Sequence, residues 1–230
     1  MNKYKHLFFD LDRTLWDFEV NSVKTLKSIF AKRNLEQIFP DFDAFIKTYK
    51  IHNEALWDLY KLRKIKKAEL RDQRFLLTLQ DFGIDDPVLA EHIGDDYIEI
   101  SPTQTGLFPD TIEVLDYLSS KYKLYIITNG FVEVQYKKLK YSGLDKYFDR
   151  VTTSEEAKAS KPKPEIFRAA LSAANAKKSE SIMIGDDLAN DILGAKKFGI
   201  DQIFFNPNSN QHQEETTHEI SELKELMALL

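Results

Sequence analysis

The chain reads HLFFDLDRT over residues 6–14, an apolar run that ends on two aspartates. The part from His6 to Phe9 is short and rich in aromatic side chains, which is typical of a buried β-strand. Similar runs occur at 124–127, 181–184 and 202–205, and polar or small residues follow each of them at once. The sequence therefore predicts at least four buried strands that end in polar loops.

Helical periodicity separates these strands, with amphipathic patterns at 111–122, 132–141, 164–174 and 190–198. Pro164 stands at the first position of one helix, and Gly199 follows the last, as helix starts and ends favour. Alternating strands and helices predict an α/β fold, with a Rossmann-like parallel sheet at its core. Ligands bind such sheets beyond the carboxyl ends of the strands, so the residues there are the candidates for chemistry.

One segment interrupts this alternation. Between residues 18 and 103 the sequence has helical periodicity and no convincing strand. We therefore expect an all-helical insertion at 18–103 within an α/β core formed by 1–17 and 104–230.

Composition and charge narrow the function classes. Hydrophobic residues make up 43% of the 230 residues, which excludes a disordered chain. Because cysteine is absent, disulfides and thiolate metal sites are excluded, and a reducing, cytoplasmic location is expected. The apolar stretch at 7–9 is too short for a signal peptide or a membrane span, so export and membrane insertion are not expected. The net charge of −5 argues against nucleic-acid polymers and anionic membranes as partners, so a small-molecule partner is expected.

Acidic residues dominate two of the predicted strand ends. Asp10 and Asp12 follow the first strand, and the third strand is followed by Asp186, Asp187 and Asp191. Because the carboxyl ends of parallel strands meet at one edge of a sheet, these carboxylates are expected to lie together. Carboxylate oxygens are the ligands of hard cations such as Mg²⁺, so the sequence predicts a metal site there.

Two other segments supply hydrogen-bond donors at the same edge. Thr128 and Asn129 follow the second strand, and Lys161 precedes the helix that starts at Pro164. A hydroxyl, loop N–H groups and an ammonium can together bind a phosphoryl group. Lys158 competes with Lys161, and the position of Lys161 next to the helix start favours Lys161.

This set of motifs resembles the haloacid dehalogenase-like phosphatase superfamily. The segments FFDLDRT, IITN, SKPKP and MIGDDLAND match its four motifs in order, and a helical cap inserted between the first two motifs is also its pattern. The resemblance covers essentially the whole chain and departs at Arg13, where many members have glycine. The segments FDLDRTLWDF and ITNGF look like those of the 5′-nucleotidases that act on pyrimidine nucleotides.

The resemblance implies a phosphomonoester hydrolase that works through an aspartyl-phosphate. Asp10 would attack phosphorus, and Asp12 would be the general acid and then the general base. Thr128 and Lys161 would stabilise charge on the phosphoryl oxygens.

The same resemblance implies a Mg²⁺ cofactor. The ion would be held by the Asp10 carboxylate, the backbone carbonyl of Asp12 and Asp186. Asp191 would order metal-bound water, with Asp187 as a further candidate for that role.

Aromatic residues beside the motifs are candidates for contacts with the leaving group. Trp16 and Phe131 each lie just beyond a motif, with Phe18 close by, and would stack a planar base, while Asn129 would also contact substrate. Helical spacing makes a packing role for such aromatics the competing interpretation.

Other activities remain open at this point. A haloalkanoate dehalogenase shares the motifs, but the dehalogenating members lack an acid two residues after the nucleophile, which Asp12 supplies. A sugar-phosphate or phosphoglycolate phosphatase, or a phosphomutase, would share the core, and a binding protein could retain the fold without turnover.

Overall fold

A computed structural model of the chain describes residues 3–230, so the first two residues of the predicted core lie outside the described residues. Contacts divide the chain into two compact units. The first contains the chain up to Phe18 together with Thr105–Leu230, and the second is Glu19–Gln104.

A six-stranded sheet forms the centre of the first unit. Its strands are β1 (His6–Phe9), β2 (Lys123–Thr128), β3 (Arg150–Thr153), β4 (Ser181–Gly185), β5 (Asp201–Phe205) and β6 (His218–Ile220). They lie in the order β3-β2-β1-β4-β5-β6, and every neighbouring pair is parallel. The prediction of a Rossmann-like parallel α/β fold is confirmed.

The two outermost strands were not predicted. Only two residues of β3 are fully buried, and β6 has three residues, of which one is buried. An edge strand with one neighbour needs few buried side chains, so neither segment carries the apolar run that marks the central strands. The start of β6 lies within the polar run at 206–219.

The second unit is helical, as predicted, and its first helix begins one residue earlier, at Phe18. The helices are α1 (Phe18–Lys32), α2 (Phe42–Lys61), α3 (Lys67–Gln80) and α4 (Pro87–Ile100). Aromatic side chains fill much of the core of this unit, and the Arg74 guanidinium lies among them. It donates a hydrogen bond of 3.0 Å to Asn53 and lies 4.6 Å from the ring centre of Tyr97.

The remaining helices belong to the first unit: α5 (Thr111–Ser119), α6 (Val132–Tyr141), α7 (Pro164–Ala173), α8 (Gly194–Phe198) and α9 (Leu226–Leu229). A π-helix over Leu188–Leu193 precedes α8, so the helix predicted at 190–198 begins earlier and changes its winding. Gly199 ends α8 with φ 91°, as its predicted capping role requires. In the described part of the chain, no helix is both long and apolar enough to cross a membrane.

Strand β1 anchors hydrophobic cores on both faces of the sheet. Leu7 and Phe9 belong to one cluster, whereas Phe8 belongs to a second cluster with Phe167 and Phe198. Successive side chains of a strand point to opposite faces, so a continuous apolar run is what a doubly covered strand requires. The chain leaves this buried strand at Asp10, which fixes the start of the first motif.

Replacing Ile126 with alanine will lower the free energy of unfolding by about 2–5 kcal/mol, because this side chain of β2 is fully buried and its removal leaves a cavity. Ile112 on α5 is 39% exposed, and its replacement by alanine will change stability by less than about 1 kcal/mol. Urea unfolding followed by circular dichroism measures both, and equal effects would contradict the assignment of Ile126 to the core.

Candidate active site

Three carboxylates meet at the carboxyl ends of β1 and β4. These strands are neighbours, and the backbone N–H of Asp10 continues their pairing by donating to the carbonyl of Ile184. Oxygen atoms of Asp10, Asp186 and Asp191 all lie within 4.8 Å of one another. The expectation that these acids converge at one sheet edge agrees with this geometry.

Lys161 lies between two of these carboxylates. Its ammonium is 2.5 Å from Asp10 Oδ1 and 2.7 Å from Asp191 Oδ1, and it donates a hydrogen bond of 2.8 Å to the carbonyl of Ile127. Burial alone would lower the pKa of Lys161, but attraction by the two carboxylates outweighs it and raises the pKa. The lysine is therefore a buried positive charge, held by two carboxylates and one carbonyl.

One ammonium does not balance three acids, of which Asp10 and Asp191 are buried and Asp186 is partly buried. Burial raises the pKa of Asp10, the Lys161 ammonium opposes this rise, and the charge of Asp191 adds to it. Burial likewise raises the pKa of Asp186 and of Asp191. A cluster of hard oxygen donors with unbalanced negative charge is what a divalent cation such as Mg²⁺ binds, so these residues fit a metal site.

Thr14 fixes the orientation of Asp186. Its hydroxyl donates to Asp186 Oδ1 over 3.0 Å and accepts a bond of 3.1 Å from the Asp186 backbone N–H. Thr14 is part of the first motif, but the sequence does not indicate a role for it. The loop before it turns at Arg13, whose φ of 64° lies in the left-handed region that favours glycine.

The Thr128 hydroxyl has both acceptor positions filled. It accepts bonds from the Gly130 backbone N–H, at 3.1 Å, and from Gln135 Nε2, at 2.9 Å. A hydroxyl has two lone pairs and one proton, so only its own O–H remains available. No acceptor in the described residues takes that proton, and Thr128 is thereby prepared to donate to a bound anion.

Asn129 holds the loop that carries Lys161. Its side-chain oxygen accepts from the Lys161 backbone N–H at 2.8 Å, and its amide nitrogen donates to the Lys161 carbonyl at 3.2 Å. The Asn129 side chain therefore bridges two motifs, and its contact with substrate stays a prediction. Lys158, the competing lysine, is exposed, whereas Lys161 is 3% exposed and lies within the cluster.

Asp12 lies in a second polar group that the sequence did not predict. Lys138 Nζ lies 2.5 Å from Asp12 Oδ1, and Gln135 Nε2 donates a bond of 2.7 Å to Asp12 Oδ2. Both partners come from α6 and are buried. Their spacing of three residues puts them on one face of the helix. In the sequence alone, a buried Lys and Gln cannot be distinguished from the polar residues of a solvated helix face.

Of the aromatic residues predicted to stack a base, Trp16 and Phe131 are buried and Phe18 is partly buried. Trp16 has no exposed surface and belongs to the core cluster of the first unit, and Phe131 is 5% exposed. The indole ring of Trp16 lies 4.0 Å from Lys138 Nζ, which is a cation–π contact. A stacking role for Trp16 does not fit this burial, and the packing interpretation is the one that the structure favours.

Asp187 caps the π-helix. Its carboxylate accepts bonds from the backbone N–H groups of Ala189 and Asn190, at 3.1 and 3.0 Å, and contacts the Asn190 side chain. Asp191 is turned into the carboxylate cluster, so Asp187 satisfies the helix start.

A family model for haloacid dehalogenase-like hydrolases matches residues 4–199. The chain belongs to this family. Pyrimidine 5′-nucleotidase PynA of Streptococcus pneumoniae is 33% identical over 233 residues, which cover 99% of this chain and 95% of that protein. A glyceraldehyde 3-phosphate phosphatase of Pyrococcus furiosus is 36% identical and covers 100% of this chain and 94% of its own length.

A solved structure agrees closely with this haloacid dehalogenase-like hydrolase. The putative HAD-hydrolase YfnB of Bacillus subtilis, determined bound to magnesium, matches with a TM-score of 0.89 and 28% sequence identity. The match covers 99% of each chain.

Replacing Thr14 with valine will weaken Mg²⁺ binding by about 10- to 100-fold, because Asp186 loses the hydroxyl that orients it. Thr14→Ser keeps the hydroxyl and will bind Mg²⁺ close to the wild-type affinity. Isothermal titration calorimetry measures both variants. Equal affinity of Thr14→Val and the wild type would show that Asp186 does not need this bond or does not bind the ion.

Proposed function

We propose that the protein is a Mg²⁺-dependent phosphomonoester hydrolase that works through an aspartyl-phosphate on Asp10, with pyrimidine nucleoside 5′-monophosphates as substrates. The observation that carries the proposal is the pair of acids in the first motif, which have different surroundings. Asp10 is paired with Lys161 inside the carboxylate cluster, and Asp12 is paired with Lys138 and Gln135 beside it. Two carboxyl groups in different environments suit two different roles.

Asp10 has the position of a nucleophile. Lys161 holds Asp10 Oδ1, while no donor in the described residues bonds to Oδ2, which is left to attack. In the first step a bond forms between Asp10 and phosphorus, and the bond from phosphorus to the leaving-group oxygen breaks. Asp12 gives its proton to that oxygen, so the leaving group departs as a neutral alcohol.

The second step releases phosphate and restores both acids. Asp12, now a carboxylate, takes a proton from water as the water oxygen bonds to phosphorus, and the bond to Asp10 breaks. The O–H of Thr128, whose lone pairs are filled, donates to a phosphoryl oxygen in both steps. Lys161 keeps Asp10 ionised as a leaving group by holding a positive charge beside it.

Asp10 and Asp186 would hold the Mg²⁺ ion, with the backbone carbonyl of Asp12, and Asp191 would remain the partner of Lys161. When bound, the ion supplies positive charge that offsets the repulsion between the Asp10 carboxylate and the phosphate dianion. The protein's own part is to keep the acids at the sheet edge and to orient Asp186 through Thr14.

The presence of Asp12 favours phosphoryl transfer over dehalogenation. A halide leaves without a proton, whereas an alkoxide needs an acid at the leaving-group oxygen. Lys138 and Gln135 hold the Asp12 carboxyl in one position, where it can serve as this acid. The nucleotide assignment is supported by the similarity to PynA, a pyrimidine 5′-nucleotidase.

Removing divalent cations with a chelator will abolish phosphatase activity, and added Mg²⁺ will restore it. Asp186→Asn will raise the Mg²⁺ concentration needed for half-maximal rate, because it removes a charged ligand. Asp187→Asn is the matched control, since its side-chain oxygen still caps the π-helix, and its Mg²⁺ dependence will be that of the wild type. Full activity in chelator, or equal shifts in the two variants, would contradict the metal assignment.

Comparing kcat/KM across substrates tests the nucleotide assignment. Pyrimidine 5′-monophosphates will be preferred to purine 5′-monophosphates, glyceraldehyde 3-phosphate and phosphoglycolate under one condition. Asp10→Asn, which removes the nucleophile, will abolish turnover of all four classes and thereby exclude a contaminating phosphatase. If a sugar phosphate or phosphoglycolate is preferred by more than about tenfold, the protein is a phosphatase of another substrate class.

A further inference from the structure

Asp12 is held from both sides by α6. Lys138 Nζ contacts one oxygen of the Asp12 carboxyl and Gln135 Nε2 the other, at 2.5 and 2.7 Å. Lys138 is 4% exposed and Gln135 has no exposed surface, so each has lost its hydration to make this contact. Burying a lysine stem and an amide is costly unless the polar groups find partners.

One polar atom of Gln135 has no partner that offsets the cost of burial. Its Oε1 atom is buried and has no hydrogen-bond partner in the described residues. The amide cannot simply be turned over, because Oε1 would then meet the Asp12 carboxylate. A buried acceptor without a partner destabilises a fold, and such groups are retained where they serve a function.

Gly130 leaves space for the Gln135 side chain. A Cβ atom added to Gly130 would lie 1.8 Å from Gln135 Nε2, so only glycine at that position lets the amide reach Thr128 and Asp12 together. Gln135 thereby bonds to the predicted phosphate-binding hydroxyl and to the predicted acid at the same time.

Lys138 is fixed by its other neighbours. Its ammonium lies 4.0 Å from the ring centre of Trp16 and 5.8 Å from that of Phe18. These contacts leave the ammonium few alternative positions, because the aromatic rings and Asp12 enclose it. The buried Trp16 therefore packs against Lys138, a role that does not require contact with a substrate.

We propose that Gln135 and Lys138 are positioning residues that fix the Asp12 carboxyl for proton transfer to and from the phosphoryl site. The inference rests on the proposed function, in which Asp12 is the general acid and base. Each carboxyl oxygen of Asp12 has two lone pairs. Lys138 or Gln135 occupies one lone pair on each oxygen, and the second lone pair remains available for the transferred proton. The carboxyl group can then give and take a proton without turning.

The test uses two substrates whose leaving groups differ in their need for a proton. p-Nitrophenyl phosphate releases a weakly basic phenolate, and uridine 5′-monophosphate releases a strongly basic alkoxide. The ratio kcat/KM includes steps up to loss of the leaving group and so reports on the acid. Lys138→Met will lower kcat/KM for the nucleotide by about 10- to 100-fold and for the aryl phosphate by less than about threefold. Gln135→Leu also frees a lone pair of Thr128, so it will lower kcat/KM for both substrates, and for the nucleotide by the larger factor.

Two further variants separate positioning from general damage. Lys138→Arg keeps a cationic donor and will restore most of the nucleotide activity. Lys137→Met changes the exposed neighbour on α6 and will leave both substrates unaffected. Thermal melting identifies any variant that does not fold, and if Lys138→Met is lost in this way, Gln135→Leu and Gln135→Asn provide the same comparison.

Equal losses with the two substrates, or no loss with either, would overturn the positioning role and leave the proposed function intact. The proposed function fails separately, when the wild-type protein with Mg²⁺ hydrolyses neither substrate or when Asp10→Asn retains the wild-type rate. If the wild type hydrolyses only the aryl phosphate, the alkyl phosphate that it turns over fastest replaces the nucleotide in the comparison.

Discussion

One buried ammonium between two buried carboxylates holds the site together. Asp10 and Asp191 are almost without solvent, and ionised carboxylates in such a place need a partner of opposite charge. Lys161 supplies it and also donates a hydrogen bond to the carbonyl of Ile127. Because three partners fix one nitrogen atom, the loop that carries Lys161 must be placed accurately, which the Asn129 side chain does by binding its backbone on both sides.

The close packing around this ion pair limits the residues that fit. A Cβ atom on Gly185 would lie 2.3 Å from Asp191 Oδ2, so glycine at the end of β4 lets Asp191 approach Lys161. Asp12 is only two residues from Asp10 in the chain, yet its side chain is 23% exposed and faces a different cation. The first motif thus directs two identical side chains into two environments, which is how one residue type can serve both as nucleophile and as acid.

Much of this arrangement was predictable because it depends on the sheet. Strands that are covered on both faces require apolar runs, and parallel strands bring the acids that follow them to one edge, so Asp10 and Asp186 were predictable as neighbours. Gln135 and Lys138 were not, because a helix pattern does not show which polar positions are buried against a loop far away in sequence. Trp16 was assigned by its closeness to a motif, which carries no information about the direction of its side chain.

The central claim is that Asp10 becomes covalently phosphorylated. Rapid acid quenching of the Mg²⁺-loaded protein during turnover of a radiolabelled phosphomonoester tests it most directly, because an acyl phosphate survives acid and is lost in mild base. We expect base-labile label on the peptide that contains Asp10, and no label in Asp10→Asn. Label on another residue, or rapid turnover that never labels the protein under conditions where release of phosphate is slowed, would contradict it.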